Sequence, residues 1–202
     1  MSNNPDKVHE LRTLLRDVPL DVRSYKDVIG EPLDVVEDGE TYAENALKKV
    51  LAPPERSDTI YLSDDSGMEV TALDSAPGIY SARYAGVGCS YADNCRKVIG
   101  AMRGKTDRSA RFLCVLALRF PDPEHFPPQT VTGIVEGEIL SDWEEGEGFG
   151  YDPVFVPSGY DRPFSAFSEQ EKNAISHRGK ALVQAKALLL QYLQRVSSPP
   201  HL

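Results

Sequence analysis

The amino-acid sequence predicts an α/β protein, because segments with the helical spacing of apolar residues alternate along the chain with short apolar runs typical of strands. The chain has 202 residues, which is enough for one sizeable core or two small lobes. Its contents of hydrophobic residues, 41%, and of charged residues, 26%, are ordinary for a globular protein. We therefore expect one domain over residues 1–202, with a frayed tail at residues 196–202.

The N-terminal part of the sequence predicts two helices. Pro5 after an Asn4 cap, followed by apolar residues at helical spacing, predicts a helix over residues 4–17. Thr41 and Glu44 have the spacing of a capping box and predict the start of a second helix. Strand signals occupy residues 20–25, 59–63, 68–73 and 79–84.

The C-terminal half predicts a hairpin and further helices. Ser90 and Asp93 again have the spacing of a helix cap. Residues 110–120 are apolar on both faces and predict a central strand. This strand should pair antiparallel with residues 130–140, because the loop between them is too short for a helical crossover. The remaining expected elements are an acidic loop at 141–148, a short helix capped by Ser168 and Glu171, and a long amphipathic helix from about Ser176.

Composition excludes several classes of function. The net charge of −9 argues against a nucleic-acid interface, since such interfaces depend on many lysines and arginines. No apolar run approaches the roughly 20 residues that span a bilayer, and no secretory signal precedes the first helix, so we expect a cytoplasmic protein. The three cysteines lack CxxC spacing and predict reduced, mostly buried thiols, and the four histidines have no zinc-binding spacing.

The segment Ser63-Asp64-Asp65-Ser66-Gly67 is the main candidate for chemistry. Two carboxylates and a hydroxyl before a glycine predict a corner at the end of a strand that could hold Mg²⁺ against phosphate. The alternative is an Asx-type turn that closes a strand, and we assign Asp64 the role of a solvated turn residue or a cap. Glu37 could supply a second metal-binding carboxylate, although a charged loop before a helix is commonly just solvated.

Two cationic clusters complement these carboxylates. Lys7, preceded by Ser2, Asn3 and Asn4, lies at a helix N-terminus, where free N–H groups can bind phosphate. The alternative is an ordinary surface lysine.

The second cationic cluster, together with a segment of aromatic residues, could bind a nucleotide base. Phe149, Gly150, Tyr151 and Asp152 offer aromatic faces and a carboxylate, although such aromatic residues are more often core. Three cations gather around the start of the last helix, where cations oppose the helix dipole and are otherwise commonly solvated. These residues are Lys172, His177 and Arg178.

Taken together, six ordered segments resemble the inosine triphosphate pyrophosphatase family, which hydrolyses non-canonical purine nucleoside triphosphates. The similarity runs from Ser2 to about Leu189. The matching segments are Ser-Asn-Asn-Pro-Asp-Lys (2–7), Glu-Asp-Gly-Glu-Thr-Tyr-Ala-Glu-Asn-Ala (37–46), Ser-Asp-Asp-Ser-Gly-Met-Glu-Val (63–70), Ala-Pro-Gly-Ile-Tyr-Ser-Ala-Arg-Tyr-Ala-Gly (76–86), Gly-Phe-Gly-Tyr-Asp-Pro-Val-Phe (148–155) and Glu-Lys-Asn-Ala-Ile-Ser-His-Arg-Gly-Lys-Ala-Leu (171–182).

The resemblance implies a long mixed β-sheet flanked by helices, two lobes with a central cleft, and a homodimer. It also implies Mg²⁺-dependent hydrolysis of ITP, dITP and XTP to the monophosphate and pyrophosphate. Asp65 would be the proton acceptor and, with Glu37, a metal ligand. The implied substrate contacts are Ser2, Asn3, Asn4, Pro5, Asp6, Lys7, Ser66, Phe149, Gly150, Tyr151, Asp152, Lys172, His177 and Arg178.

The sequence departs from the family at its start, where members normally have a short apolar strand before the segment that matches Ser2. We therefore expect the sheet to lack one strand. The alternative to an active pyrophosphatase is a catalytically impaired nucleotide-binding module. A phosphatase that forms an aspartyl-phosphate would need a DxDx[TV] motif, which the sequence does not contain.

Overall fold

A computed structural model describes residues 5–31, 33–143 and 149–197, with the backbone alone at residues 5 and 6. Within these ranges the chain forms both helices and strands, which confirms the predicted α/β class. The helices are α1 (Pro5–Leu14), α2 (Tyr25–Ile29), α3 (Tyr42–Leu51), α4 (Tyr91–Ala101), α5 (Glu169–Ile175) and α6 (His177–Ser197). The strands are β1 (Tyr61–Val70), β2 (Ser109–Arg119), β3 (Gln129–Ile139) and β4 (Phe155–Pro157).

The strands form one sheet with the order β1-β2-β3-β4. The predicted neighbours at residues 110–120 and 130–140 are therefore confirmed as β2 and β3. The short strand β4 pairs antiparallel with the end of β3, and Gly137 lies opposite Pro157. None of the helices in the described ranges combines the length and apolar character that crossing a bilayer requires.

Local capping explains where the predicted helices begin. The hydroxyl of Thr41 accepts a hydrogen bond from the backbone of Glu44 at the start of α3, as predicted. Ser90 with Asp93 closes a capping box before α4, and Ser168 with Glu171 does so before α5. These side chains satisfy backbone N–H groups that a helix start leaves without partners within the helix.

Three local predictions were wrong. β1 runs without interruption from Tyr61 to Val70, so the predicted corner at Ser63–Gly67 is a strand interior and two predicted strands are one. Residues 20–25 form no strand. They line a cavity of about 630 Å³ and then enter α2, which Ser24 and Asp27 cap. Residues 79–84 form no strand: Gly78–Arg83 is a 3₁₀ helix that follows a turn at Pro77 and Gly78, where φ is 58°.

The chain divides into two compact units. Unit 1 comprises Met1–Asp65, Val115–Thr132 and Gly179–Leu202, and unit 2 comprises Ser66–Cys114 and Gly133–Arg178. The core of unit 1 includes buried residues of α3, the end of β2 and α6, among them Val50, Leu116 and Leu182. The core of unit 2 is centred on aromatic side chains, including Phe112, Phe155 and Phe164.

The three cysteines are free thiols, and two of them, Cys95 and Cys114, are buried, which confirms the prediction for these residues. The predicted tail at 196–202 lies mostly outside the described residues. Helix α6 includes its first two positions.

Candidate active site

Asp65 lies in a polar cluster of unit 1, which we call the carboxylate cluster and which consists of the buried residues Asn45, Lys49 and Asp65 and the exposed Glu37. The ammonium nitrogen of Lys49 lies 2.9 Å from Oδ1 of Asp65 and 3.3 Å from Oε2 of Glu37. The side-chain amide of Asn45 approaches the other oxygen of Asp65 at 3.4 Å. Asp65 is only 7% exposed, so its carboxylate is held largely by protein groups.

Helix α3 positions the amide and the ammonium of this cluster. Asn45 and Lys49 are four residues apart and therefore share one face of the helix. The same helix buries Ala46 and Val50 beside them. The side-chain oxygen of Asn45 also accepts a hydrogen bond of 2.8 Å from the backbone of Gly39, which ties the loop that carries Glu37 to α3.

Burial sets the electrostatics of the cluster. It raises the pKa of Asp65, and the negative charge of Glu37 adds to this effect, whereas the ammonium of Lys49 opposes it. Burial lowers the pKa of Lys49, but the charge and hydrogen bond of Asp65 outweigh it, so the pKa of Lys49 is raised. Asp65 is therefore a stronger proton acceptor than an exposed aspartate would be.

The donor chemistry of the cluster fits a magnesium ion. Glu37 and Asp65 direct oxygens at one cation, the ammonium of Lys49, which shows that both carboxylates can reach a common positive charge. Mg²⁺ commonly binds through one or two carboxylates together with substrate phosphates and water. Among the described residues no group of three or more histidines, cysteines, aspartates or glutamates could hold a metal ion, so this part of the chain offers no complete cage.

Asp64 differs from the prediction of a solvated turn residue, because it is 4% exposed. Its Oδ2 atom lies 2.7 Å from the ammonium of Lys7 in α1. Consecutive side chains of a strand point to opposite faces, so the two aspartates of β1 engage different lysines. The neighbouring candidates Ser2, Asn3 and Asn4 lie outside the described residues. Pro5 and Asp6 are described only as backbone of α1.

Unit 2 contains a second polar group, which we call the aromatic–cation cluster and which consists of Phe149, Asp152 and Lys172. The ammonium of Lys172 lies 2.5 Å from Oδ2 of the buried Asp152 and 5.4 Å from the ring centre of Phe149. The structure thus brings together Lys172 and the segment of Phe149 and Asp152, which the sequence singled out separately. Phe149 is half-buried, which leaves part of its ring accessible.

The two residues between Phe149 and Asp152 have structural contacts. The thiol of Cys95 donates to the carbonyl of Gly150 at 3.3 Å, and Gly150 has a φ of 59°, which favours glycine. The Tyr151 hydroxyl donates to the carbonyl of Ser81 at 2.8 Å. The Tyr151 side chain is buried, so it supports the segment from the core.

His177 and Arg178 are buried at the start of α6, which contradicts the alternative of a solvated helix end. The His177 ring stacks on Phe112 with 4.8 Å between ring centres. Arg178 is 3% exposed and donates to the hydroxyl of Ser66 at 3.3 Å. These two contacts join distant segments of the chain within unit 2.

Asn45 and Lys49 are members of the carboxylate cluster that the sequence analysis missed. Their signal was available, because a polar pair at positions i and i+4 lies on the same face as the buried Ala46 and Val50. Polar residues on an otherwise apolar helix face are buried only when they find partners, and here the partner is Asp65.

The fold and the two clusters define an α/β protein with buried, paired charges in each unit. The chain belongs to the Ham1 family, whose model matches residues 1–188. This result confirms the resemblance seen in the six motifs.

Similar proteins of other organisms cover most of the chain. A relative from Desulfotalea psychrophila, named dITP/XTP pyrophosphatase, is 42% identical over 92% of this chain and 82% of its own length. A Bacillus licheniformis relative of the same name is 41% identical over 94% of this chain and 96% of its own. The solved structure of the Staphylococcus aureus Ham1 protein has a TM-score of 0.83 and 36% identity, and it covers 95% of this chain and 96% of that one.

Proposed function

We propose that this chain hydrolyses the non-canonical purine nucleoside triphosphates ITP, dITP and XTP to the monophosphate and pyrophosphate. The observation that carries the proposal is the convergence of Glu37 and Asp65 on one cation in a Ham1 family chain. Its relatives named dITP/XTP pyrophosphatase supply the substrate class. The enzyme would act in the cytoplasm and remove non-canonical nucleotides from the nucleotide pool.

Mg²⁺ is the proposed cofactor, with Asp65 and Glu37 as its ligands. When bound, the ion would neutralise charge on the triphosphate and fix its geometry. Lys49 would leave its bridging position and remain near the phosphates as a compensating charge.

Asp65 would accept the proton of the attacking water, a task that its raised pKa favours. Lys7, which Asp64 holds at 2.7 Å, would stabilise the charge of the departing pyrophosphate. The segment from Ser2 to Asp6 would supply further contacts with the phosphates at the start of α1.

The aromatic–cation cluster would bind the base. Phe149 offers a stacking face, and the buried donors His177 and Arg178 could serve the 6-carbonyl of hypoxanthine or xanthine. Adenine carries a donor amine at that position, so buried donors would be left unsatisfied and the affinity would fall. Ser66, Gly150, Tyr151, Asp152 and Lys172 complete the proposed substrate contacts.

A panel of nucleoside triphosphates tests the function. Purified protein with Mg²⁺ should release pyrophosphate from ITP, dITP and XTP much faster than from ATP and GTP, and it should release no orthophosphate. Tight binding of ITP without turnover would instead identify the impaired nucleotide-binding module. Orthophosphate as the main product would refute the proposal.

We also propose a homodimer. Light scattering after size-exclusion chromatography should give twice the mass of one chain at micromolar concentration. A single-chain mass at that concentration would contradict the dimer without affecting the proposed reaction.

A further inference from the structure

Helix α4 contacts the proposed base-binding segment at two points. Tyr91 and Cys95 are four residues apart and lie on one face of this helix. The Tyr91 ring meets the Phe149 ring edge to face, with centres 5.3 Å apart and planes at 65°. The Cys95 thiol donates to the carbonyl of Gly150, which follows Phe149 in the chain, at 3.3 Å. Nothing in the six family-like motifs points to Tyr91.

The start of α4 is itself fixed, so Tyr91 is a defined support. The hydroxyl of Ser90 accepts a hydrogen bond from the Asp93 backbone at 3.1 Å, and the Asp93 carboxylate accepts one from the Ser90 backbone at 2.9 Å. This capping box holds Tyr91, the first residue of α4, in the first turn of the helix.

The Phe149 ring also lies close to Lys172, whose ammonium is 5.4 Å from the ring centre. Lys172 is in turn anchored by the buried carboxylate of Asp152 at 2.5 Å. A ring held by an aromatic neighbour and by an anchored cation has fewer orientations to lose when a base stacks on it.

We propose that Tyr91 is a positioning residue that holds the Phe149 ring in the orientation on which the purine base stacks. This inference rests on the proposed function. It concerns affinity for the nucleotide, because Tyr91 acts through Phe149, whose proposed role is to stack on the base. Removal of its ring should therefore raise KM and leave kcat nearly unchanged.

The test compares Tyr91→Ala with wild type and with a matched control. Tyr160 is also an exposed tyrosine of unit 2 in an edge-to-face pair, with Phe167, and the two side chains are similarly exposed, 43% and 47%. Tyr91→Ala should raise the KM for ITP about 3- to 10-fold, as expected for loss of one aromatic pair. Tyr160→Ala should not change KM, and Tyr91→Phe should keep the wild-type value.

A double variant distinguishes positioning from a general structural effect. In a Phe149→Leu background, Tyr91→Ala should cause no further rise in KM, because the ring that Tyr91 supports is already absent. Additive effects, an unchanged KM in Tyr91→Ala, or an equal rise in Tyr160→Ala would each overturn the inference. Thermal melting should show that all variants fold.

Calorimetric titration with inosine monophosphate separates this inference from the proposed function. Tyr91→Ala should weaken its binding by a similar factor. If wild type binds the monophosphate but does not hydrolyse ITP, the proposed reaction fails and the affinity comparison still decides the role of Tyr91. If wild type binds no nucleotide, both proposals are overturned.

Discussion

The Lys49 ammonium lies 2.9 Å from the Asp65 carboxylate, and both side chains are largely buried. The residues come from different elements, α3 and β1, and are sixteen positions apart in the chain. A buried ion pair is costly to desolvate and stabilises the fold only while both partners remain. The pair therefore makes the fold and the proposed chemistry depend on the same two residues.

Asp65→Asn should abolish pyrophosphate release from ITP while the protein stays folded. Asparagine keeps the size of the side chain and can accept a hydrogen bond from Lys49, but it cannot accept the proton of an attacking water. Loss of a positioned general base typically slows a reaction about 10²- to 10⁴-fold, and loss of a metal ligand would add to this. Initial rates and thermal melting provide the measurements. Full activity of the folded variant would refute the assignment.

Lys49→Met should destabilise the protein, because it leaves the buried Asp65 carboxylate without its main cation. Breaking a buried pair by removal of one partner costs about 3 kcal/mol or more. Lys48→Met is the control, since Lys48 pairs with the exposed Asp38 on the surface and should contribute little. Urea denaturation of the two variants gives the free energies of unfolding. Equal losses of unfolding free energy in the two variants would contradict the proposal that the buried pair matters more than the surface pair.

The stability of Lys49→Met should also depend on pH. The pKa of Asp65 is already raised by burial, and loss of the ammonium should raise it further. A carboxyl group whose pKa is higher in the folded than in the unfolded protein stabilises the folded state most at pH values below its unfolded-state pKa. This contribution to stability disappears as pH rises through its folded-state pKa. The variant should therefore lose more stability than wild type over the pH range above the ordinary pKa of an aspartate, which denaturation at several pH values measures. A constant difference across that range would contradict the assignment.

Helix starts could be predicted from the sequence because their signals are local. Ser90, Thr41 and Ser168 each satisfy backbone groups within a few residues, so their spacing is sufficient information. A strand needs a partner that the sequence does not identify. Residues 20–25 had an apolar pattern but pair with no strand in the described residues, and the chain enters α2 instead.

The candidate site was predicted in part for a similar reason. Motifs identified Asp65, Lys172 and Arg178, because each lies in a distinctive short segment. The lysine that Asp65 binds could not be assigned from spacing, since the contact joins a helix to a strand through tertiary packing. Asp64 was misread as a solvated turn residue because the sequence alone did not show that β1 continues through it.

Gly137→Ala should weaken the junction between β3 and β4. A methyl group at this position would collide with the carbonyl oxygen of Val156 and the ring of Phe155, and the backbone partner cannot move without breaking the strand pair. Overpacking of this kind typically costs about 1–3 kcal/mol. Gly100→Ala in α4 is the control, because its methyl group would meet open space and should stabilise the helix by about 0.5–1 kcal/mol. The changes in unfolding free energy relative to wild type should have opposite signs in the two variants. An unchanged unfolding free energy in Gly137→Ala would show that the strands separate easily.

Cys95 should resist alkylation in the folded protein. Burial, reinforced by the negative charge of Asp152, raises the pKa of its thiol to about 12, so almost none of the reactive thiolate exists near neutral pH. Cys89 is partly exposed and serves as the internal comparison. With iodoacetamide at about pH 8, peptide mass spectrometry should find Cys89 labelled well before Cys95. Labelling should reach every cysteine once the protein is denatured. Equal labelling rates for Cys89 and Cys95 in the native protein would mean that Cys95 is not shielded beside Gly150. Such a result would contradict the contact between Cys95 and Gly150 that helps to position that segment.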